Sequence, residues 1–103
     1  MRKIEQAMRD AAYHFYAWRN ANTEVKVSIN ECTGAPVCRV YLHGNHIANV
    51  NQVAHDKMEL QVMTDTLSRW PSNTTISRLR ALGADVTVRD HRVYLNSKYV
   101  CER

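Results

Sequence analysis

Hydrophobic and polar residues alternate with two different periods along this chain, and the longer period marks its N-terminal part. Residues 2–19 predict an amphipathic α-helix, because apolar side chains recur there every third or fourth position and so fall on one stripe. The members of the stripe are Ile4, Met8, Ala11, Phe15 and Trp18. The segment NANT, residues 20–23, ends the predicted helix.

Polar-face residues of this helix suggest contacts of two kinds. Glu5 and Arg9 are spaced for an i,i+4 ion pair on the helix surface. Tyr13 and Tyr16 lie off the apolar stripe, and aromatic side chains on a polar face are candidates for a partner interface. The alternative is that each tyrosine lies flat on its own domain.

The middle of the chain alternates with a period of two, which is typical of half-buried β-strands. EVKVSIN, KMELQVM and the two halves of CRVYLHGNHIANV follow this pattern. ECTGAPVC predicts a turn, since glycine and proline interrupt the alternation there. We expect a second turn at Gly44-Asn45, with Leu42 opposite Ile47.

A second helix is predicted between Trp70-Pro71, which breaks the preceding pattern, and Gly83. Ser72 or Asn73 is expected to cap its N-terminus by accepting a backbone hydrogen bond. Its apolar stripe consists of Ile76, Leu79 and Leu82.

The segment DVTVRDHRVYLN predicts a terminal hairpin that turns at Asp90-His91. With this turn, four apolar residues share one face of the hairpin and four other residues share the opposite face. The apolar face holds Val86, Val88, Val93 and Leu95, and the other face holds Thr87, Arg89, Arg92 and Tyr94. Arg89 then lies directly opposite Arg92, and such a like-charge pair destabilises a hairpin unless solvent or an anion relieves it.

Together these elements predict an α+β fold in the order α-β-β-β-β-α-β-β. Short connections favour antiparallel pairing, so we expect a small antiparallel sheet packed against the N-terminal amphipathic helix and the second short helix. The 103 residues suffice for one hydrophobic core, and we predict a single domain over residues 1–103. Apolar residues make up 45% of the chain and charged residues 23%, which argues against disorder.

Positive charge is concentrated at the C-terminal end of the chain. Residues 1–68 hold seven Lys/Arg and seven Asp/Glu, whereas residues 69–103 hold seven Lys/Arg and three Asp/Glu. The whole net charge of +4 therefore comes from the last third, which suggests an anionic partner. The chain shows no apolar run of membrane-spanning length and no signal-peptide pattern, so we expect a cytoplasmic protein.

The candidate nucleic-acid-binding residues follow from this asymmetry. Arg78 and Arg80 flank the apolar stripe of the second helix and are expected to hold their charges in water. Thr74 and Thr75 lie in its first turn, where free N–H groups favour phosphate. In the terminal hairpin, arginine and tyrosine have the chemistry to contact phosphate and to stack on a base. The hairpin candidates are Arg89, Arg92 and Tyr94.

Catalysis and metal binding have little support in the sequence. There is no glycine-rich phosphate loop, no recognisable nucleophile and no spaced carboxylate pair, so we predict that the chain is not an enzyme and needs no cofactor. Cys32, Cys38 and Cys101 lack the usual zinc spacing, and we expect free thiols rather than a metal site. The best acid–base candidates are four histidines at or beside predicted turns: His43, His46, His55 and His91. We expect His43 and His46, which flank the Gly44-Asn45 turn, to be exposed polar residues rather than metal-binding or catalytic ones.

Two motifs give the chain a resemblance to a group of phage proteins. VYLHGNHIANV contains an L-x-G-N-x-I-A hairpin, and WPSNTTISRLRALG contains a W-x-S/T-x-T-T-x-S-R-L helix. Over residues 38–96 the chain resembles small accessory (early) proteins of tailed bacteriophages, of the short-tailed type. This resemblance implies a phage setting and no particular mechanism. The order helix, three strands, helix is also similar to that of double-stranded-RNA-binding domains, but only as a topological analogy.

Three functions are consistent with these features. The first is an accessory protein that binds DNA or RNA through a basic C-terminal surface. The second is an inhibitor or modulator that binds a host protein, with Tyr13 and Tyr16 as the contact residues. The third is a small structural protein that associates with itself.

Overall fold

The computed structural model describes residues 2–103, which form three helices and eight strands. In chain order the elements are α1 (Lys3–Tyr13), β1 (Trp18–Asn20), β2 (Thr23–Ile29), β3 (Pro36–Leu42), β4 (Asn45–Ala54), β5 (Lys57–Val62), α2 (Thr64–Arg69), α3 (Asn73–Leu82), β6 (Val86–Arg89), β7 (Arg92–Leu95) and β8 (Lys98–Glu102). The predicted α+β class and N-terminal helix are confirmed.

The strands form two antiparallel sheets in which every strand pairs with its neighbour along the chain. The main sheet has the order β1-β2-β3-β4-β5, and the C-terminal sheet has the order β6-β7-β8. Most connections are two-residue loops, and these allow only antiparallel neighbours.

The predicted element order was incomplete. The structure adds β1 before the main sheet, α2 before α3, and β8 after the terminal hairpin. It also divides the strands between two sheets, because the α2-α3 segment separates β5 from β6. Strand β8, KYVCE, has its half-buried residues Val100 and Cys101 next to each other, so it shows no alternation that would predict a strand.

Helix α1 ends at Tyr13, six residues before the predicted end. Phe15 adopts a left-handed backbone with φ 55°, and the Tyr16 N–H donates to the Ala11 carbonyl at 3.1 Å. This hydrogen bond is the one that closes a Schellman motif and turns the chain out of the helix. Trp18 therefore lies in edge strand β1 opposite Val25, although its spacing fits the helical stripe.

Hairpin turns agree with the predictions to within one residue. The β3-β4 loop is His43-Gly44 rather than Gly44-Asn45, so that Leu42 lies opposite Asn45 and not opposite Ile47. The predicted turn at Asp90-His91 is confirmed. Both residues of each loop have positive φ, as type I′ turns require.

The hydrophobic core lies between the inner face of the main sheet, the three helices and the inner face of the C-terminal sheet. Fully buried side chains come from each of these layers: Met8, Val25, Val40, Ile47, Val50, Leu67, Leu79, Leu82 and Val93. One continuous cluster of buried residues thus joins both sheets and all three helices.

A buried polar network crosses this core and joins α1 to α3 and β2. Glu5 and Arg78 are 4% and 3% exposed, and the Arg78 Nη1 donates to the Glu5 Oε2 at 2.9 Å. Ser77 donates a second hydrogen bond to the same carboxylate, and the Arg78 Nε donates to the Thr23 Oγ1 at 3.2 Å. Both buried charges are therefore paired and hydrogen-bonded, which a low-dielectric interior requires.

Two other α1 side chains cap the C-terminal end of α3. The Arg9 Nη1 donates to the Ala81 carbonyl at 2.8 Å, and the Tyr13 hydroxyl donates to the Leu82 carbonyl at 2.6 Å. A cation at this end also complements the helix dipole. The predicted Glu5-Arg9 surface pair is wrong, because Glu5 points into the core toward Arg78 and Arg9 points toward α3.

Stability should depend on pH through Glu5. Burial opposes the charged form, but hydrogen bonds from Ser77 and Arg78 outweigh it and hold the pKa of Glu5 below its ordinary value of 4.5. The folded state then binds this proton less readily than the unfolded state, so the free energy of unfolding should fall as the pH decreases from about 4.5 toward the folded-state pKa. Urea unfolding between pH 3 and pH 7, at ~0.5 pH intervals set by the width of such a transition, measures this loss.

Variants of the pair separate its contribution from that of other carboxylates. Arg78→Met should cost about 3–5 kcal/mol at neutral pH, because it leaves the Glu5 carboxylate buried without its cation. Glu5→Gln should flatten part of the acid-side decline, whereas Glu31→Gln in the exposed β2-β3 loop should leave it unchanged. An Arg78→Met variant as stable as the parent would contradict this account.

Candidate nucleic-acid interface

The C-terminal sheet has one face against the core and one face in solvent. Val86 and Val93 are buried on the inner face, which packs on α2 and α3. The residues that alternate with the inward valines along β6 and β7 point outward. With one tyrosine from β8 they form what we call the basic face: Thr87, Arg89, Arg92, Tyr94 and Tyr99. Alternation along β6 and β7 dictates this division, as the sequence predicted.

Arg89 and Arg92 lie directly opposite each other beside the Asp90-His91 turn, which confirms the predicted register. Both side chains are exposed. Glu102 lies opposite Arg92 on β8, yet within residues 2–103 neither guanidinium has a carboxylate oxygen within 4.0 Å. The like-charge pair is therefore relieved by solvent, and its hydrogen-bond donors are free to contact an anion.

Next to the arginines, the basic face carries two tyrosines. Tyr94 and Tyr99 are cross-strand partners whose ring centroids are 6.1 Å apart at 72°, an edge-to-face pair. Tyr99 is 56% exposed. Tyr99 was not among the predicted residues because β8 was not predicted, and the tyrosine and valine of KYVCE, both frequent in strands, were the only local signal.

Arg78 does not belong to this surface. The prediction that it holds its charge in water is wrong, because α3 turns that side chain toward Glu5 and Thr23 in the core. From its position beside the apolar stripe, the Arg78 side chain could turn to solvent or into the core. It turns into the core because Glu5 of α1 lies there to pair with it.

Arg80 lies on the other side of β6 from the basic face. Its Nε donates to the Val86 carbonyl at 2.8 Å, which fixes the start of β6 against α3. The rest of the exposed guanidinium lines a groove of about 620 Å³ together with Arg103 and Val88. Arg103, which was not among the predicted site residues, is held near the hairpin because its backbone N–H donates to the His91 carbonyl at 2.7 Å.

The first turn of α3 has the predicted cap. Ser72 accepts a hydrogen bond from the Thr75 N–H at 3.1 Å, and the two hydroxyls are 2.9 Å apart. Thr75 is thereby largely buried within the cap, although it borders a groove beside Trp70. The less buried Thr74 lines the same groove.

Tyr13 and Tyr16 have different environments. Tyr13 is half-buried against the core, and burial raises the pKa of its hydroxyl, which caps α3. Tyr16 is 47% exposed. Of the two predicted interface residues, Tyr16 alone presents its ring to solvent.

The thiols and imidazoles do not converge on a metal site. Among residues 2–103 there is no group of three or more cysteine, histidine, aspartate or glutamate side chains placed to hold an ion. Cys38 is buried, and burial raises the pKa of its thiol to about 11, which suppresses the nucleophilic thiolate. His43 lies in the β3-β4 turn, and His46 stacks on Tyr41 with ring centroids 5.1 Å apart.

Comparison with known proteins gives one match. The family model described as Kyanoviridae Gp96 protein matches residues 1–102, almost the whole chain. No curated protein and no solved structure matches the chain significantly. In the structure, no helix within residues 2–103 has both the length and the apolarity needed to span a bilayer.

Replacing Arg89 should stabilise the hairpin. Arg89→Thr removes the cross-strand repulsion with Arg92 and places a β-branched residue in β6, so we expect a gain of about 0.2–1 kcal/mol at low salt. The gain should shrink at about 1 M NaCl, where the Debye length is about 3 Å and the repulsion between the two guanidinium groups is screened. Urea unfolding at both ionic strengths measures it.

Arg19→Thr provides the matched control. Arg19 is also exposed in a strand, but it lies opposite Glu24, so the same replacement removes an attractive neighbour. It should be neutral or destabilising at low salt. If Arg89→Thr lost as much stability as Arg19→Thr, the inferred repulsion between Arg89 and Arg92 would be contradicted.

Proposed function

Because the chain belongs to the Kyanoviridae Gp96 protein family, and is thus a small phage protein, we propose that it binds nucleic acid in the cytoplasm of the infected cell. The binding surface is the basic face of the C-terminal sheet, and the protein acts by binding rather than by catalysis. The observation that carries this proposal is the exposed Arg89-Arg92 pair without a carboxylate partner within 4.0 Å in residues 2–103.

The chemistry of the basic face suits a nucleic-acid backbone. Two adjacent guanidinium groups supply a fork of donors that matches phosphate oxygens, and their mutual repulsion is relieved when a phosphate lies between them. The neighbouring Tyr94 and Tyr99 rings offer an aromatic surface for a sugar or base. Phosphate contacts of this kind carry no sequence information, so we expect binding with little sequence preference.

The placement of the other cations supports the same surface. Arg103 is tied by its backbone to the turn next to Arg89 and Arg92, and Arg80 lines a groove with it on the other side of β6. A strand of nucleic acid that lies on the basic face can therefore pass the hairpin tip and meet further positive charge. Lys98, exposed in β8, adds to the charge of the C-terminal sheet.

Binding should depend strongly on salt and on the arginine pair. Fluorescence anisotropy with labelled single- and double-stranded DNA and RNA, titrated at several salt concentrations, measures both. We expect Arg89→Ala/Arg92→Ala to weaken binding and to reduce the slope of log K against log salt by about 1.4–1.8, the value for two lost phosphate contacts.

Arg19→Ala/Arg39→Ala is the matched control, since it removes the same charge from exposed residues of the main sheet. It should leave the slope nearly unchanged. Equal losses in both variants would indicate a response to net charge alone, and the absence of binding to any probe at low salt would end the proposal.

Binding of a host protein is a second candidate, supported by exposed apolar side chains away from the basic face. Tyr16 follows α1, and Val27 and Ile29 lie on β2 at 39% and 67% exposure. Their face of the main sheet is the one that α1 covers in part, because Val25 on the same face is buried. Tyr13 is not available for this contact, since its hydroxyl binds α3.

Affinity capture from host lysate, with and without nuclease, distinguishes the two candidates. A stoichiometric protein partner that survives nuclease treatment and is lost in Ile29→Ser would favour the second candidate. Under the first candidate, recovered proteins should disappear after nuclease treatment.

A further inference from the structure

A concave site lies where the β3-β4 end of the main sheet, the α2-α3 junction and Arg103 meet. This groove, the Trp70 cleft, has a volume of about 670 Å³, within the range of small-molecule sites. Buried Leu42 and Ile47 form its apolar floor. Trp70 lies along its rim and is 48% exposed, although it is the largest side chain of the region.

Cations surround this apolar floor. Arg69 and Arg103 both line the Trp70 cleft, both are exposed, and within residues 2–103 neither has a carboxylate oxygen within 4.0 Å. Asn73 and Thr74 add amide and hydroxyl groups that can bind polar edges of a ligand. Among residues 2–103, none of those that line the cleft is acidic.

The Trp70 cleft joins the groove beside Arg80. Asn73 and Arg103 line both, so the two form one path around the N-terminal end of α3. The acidic residue of the groove beside Arg80 is Glu5, whose charge is already paired with Arg78. A ligand that follows this path thus meets three arginines and an exposed indole.

We infer that the Trp70 cleft binds one unpaired base of a single-stranded nucleic acid. The base stacks on the Trp70 indole above the apolar floor, and the phosphates on either side of it contact Arg69 and Arg103. An aromatic ring among cations is the arrangement that single-strand binders use, whereas a base inside a duplex is stacked on its neighbours and cannot enter a concave site without being extruded. A basic or uncharged peptide would gain little from an apolar floor that lies between two arginines.

This inference rests on the proposed function and narrows it to single strands. Trp18→Phe leaves Trp70 as the sole tryptophan and a direct reporter. Titration of this variant with an oligonucleotide of about 12 nucleotides, a usual site size, should quench and saturate the Trp70 fluorescence. The duplex of the same sequence should not quench it.

Substitutions of Trp70 test the stacking contact. Trp70→Ala should weaken single-strand binding about 5- to 100-fold, the range for loss of one stacked base, while Trp70→Phe should retain most of the affinity. Because the side chain is half exposed, circular dichroism and urea unfolding should show that both variants fold.

Failure of the inference is distinguishable from failure of the proposed function. If oligonucleotide binding depends on Arg89 and Arg92 but Trp70→Ala binds as tightly as the parent, the stacking site is overturned and the basic face stands. If the duplex quenches Trp70 as well as the single strand does, the unpaired base is overturned. If no oligonucleotide binds at low salt, both proposals are overturned.

Discussion

The buried Glu5-Arg78 ion pair is the constraint on which the rest of this structure depends. It joins the first helix to the third, and through Thr23 it reaches the main sheet, so that three layers meet at one pair of charges. Neither charge is tolerable in the core without the other, which makes the docking of α1 specific in register and in direction. Arg9 and Tyr13 add a second set of contacts to the end of the same helix.

With α3 fixed in this way, the strands that follow it determine where positive charge reaches the surface. Arg80 anchors the start of β6, and the C-terminal hairpin then presents Arg89 and Arg92 outward because their neighbours Val88 and Val93 pack inward. The polar network also includes Arg78, one of the two arginines that flank the apolar stripe of α3. The arginines of the last third of the chain therefore divide between a structural role and an exposed one.

Local patterns explain which parts of this architecture the sequence could predict. Strands β2 to β7 follow from alternation, and the Asp90-His91 turn follows from the apolar residues on either side of it. The end of α1 could not be predicted, because Phe15 and Trp18 keep the helical spacing after the helix has stopped. Helix α2 has a single buried residue, Leu67, and so shows no periodicity.

In the candidate site, too, the sequence could predict only what depends on neighbouring residues. Arg89, Arg92 and Tyr94 could be assigned to one face because hairpin register is a local property. The burial of Arg78 could not be predicted, since its partner Glu5 lies 73 residues away in the chain. Arg103 and Trp70 come together only because the C-terminal residues pack beside the α2-α3 junction, a contact with no local signal.

The long sequence separation of the Glu5-Arg78 pair also has a consequence for synthesis of the chain. As the polypeptide leaves the ribosome, the hairpins of the main sheet can close early, since each joins neighbouring segments. The first helix can pack on β1 to β3 as soon as they form, but its Glu5 carboxylate has no cation until α3 is made and must stay in contact with water until then. The position of α1 on the sheet therefore becomes fixed only late in synthesis, when Ser77 and Arg78 reach Glu5.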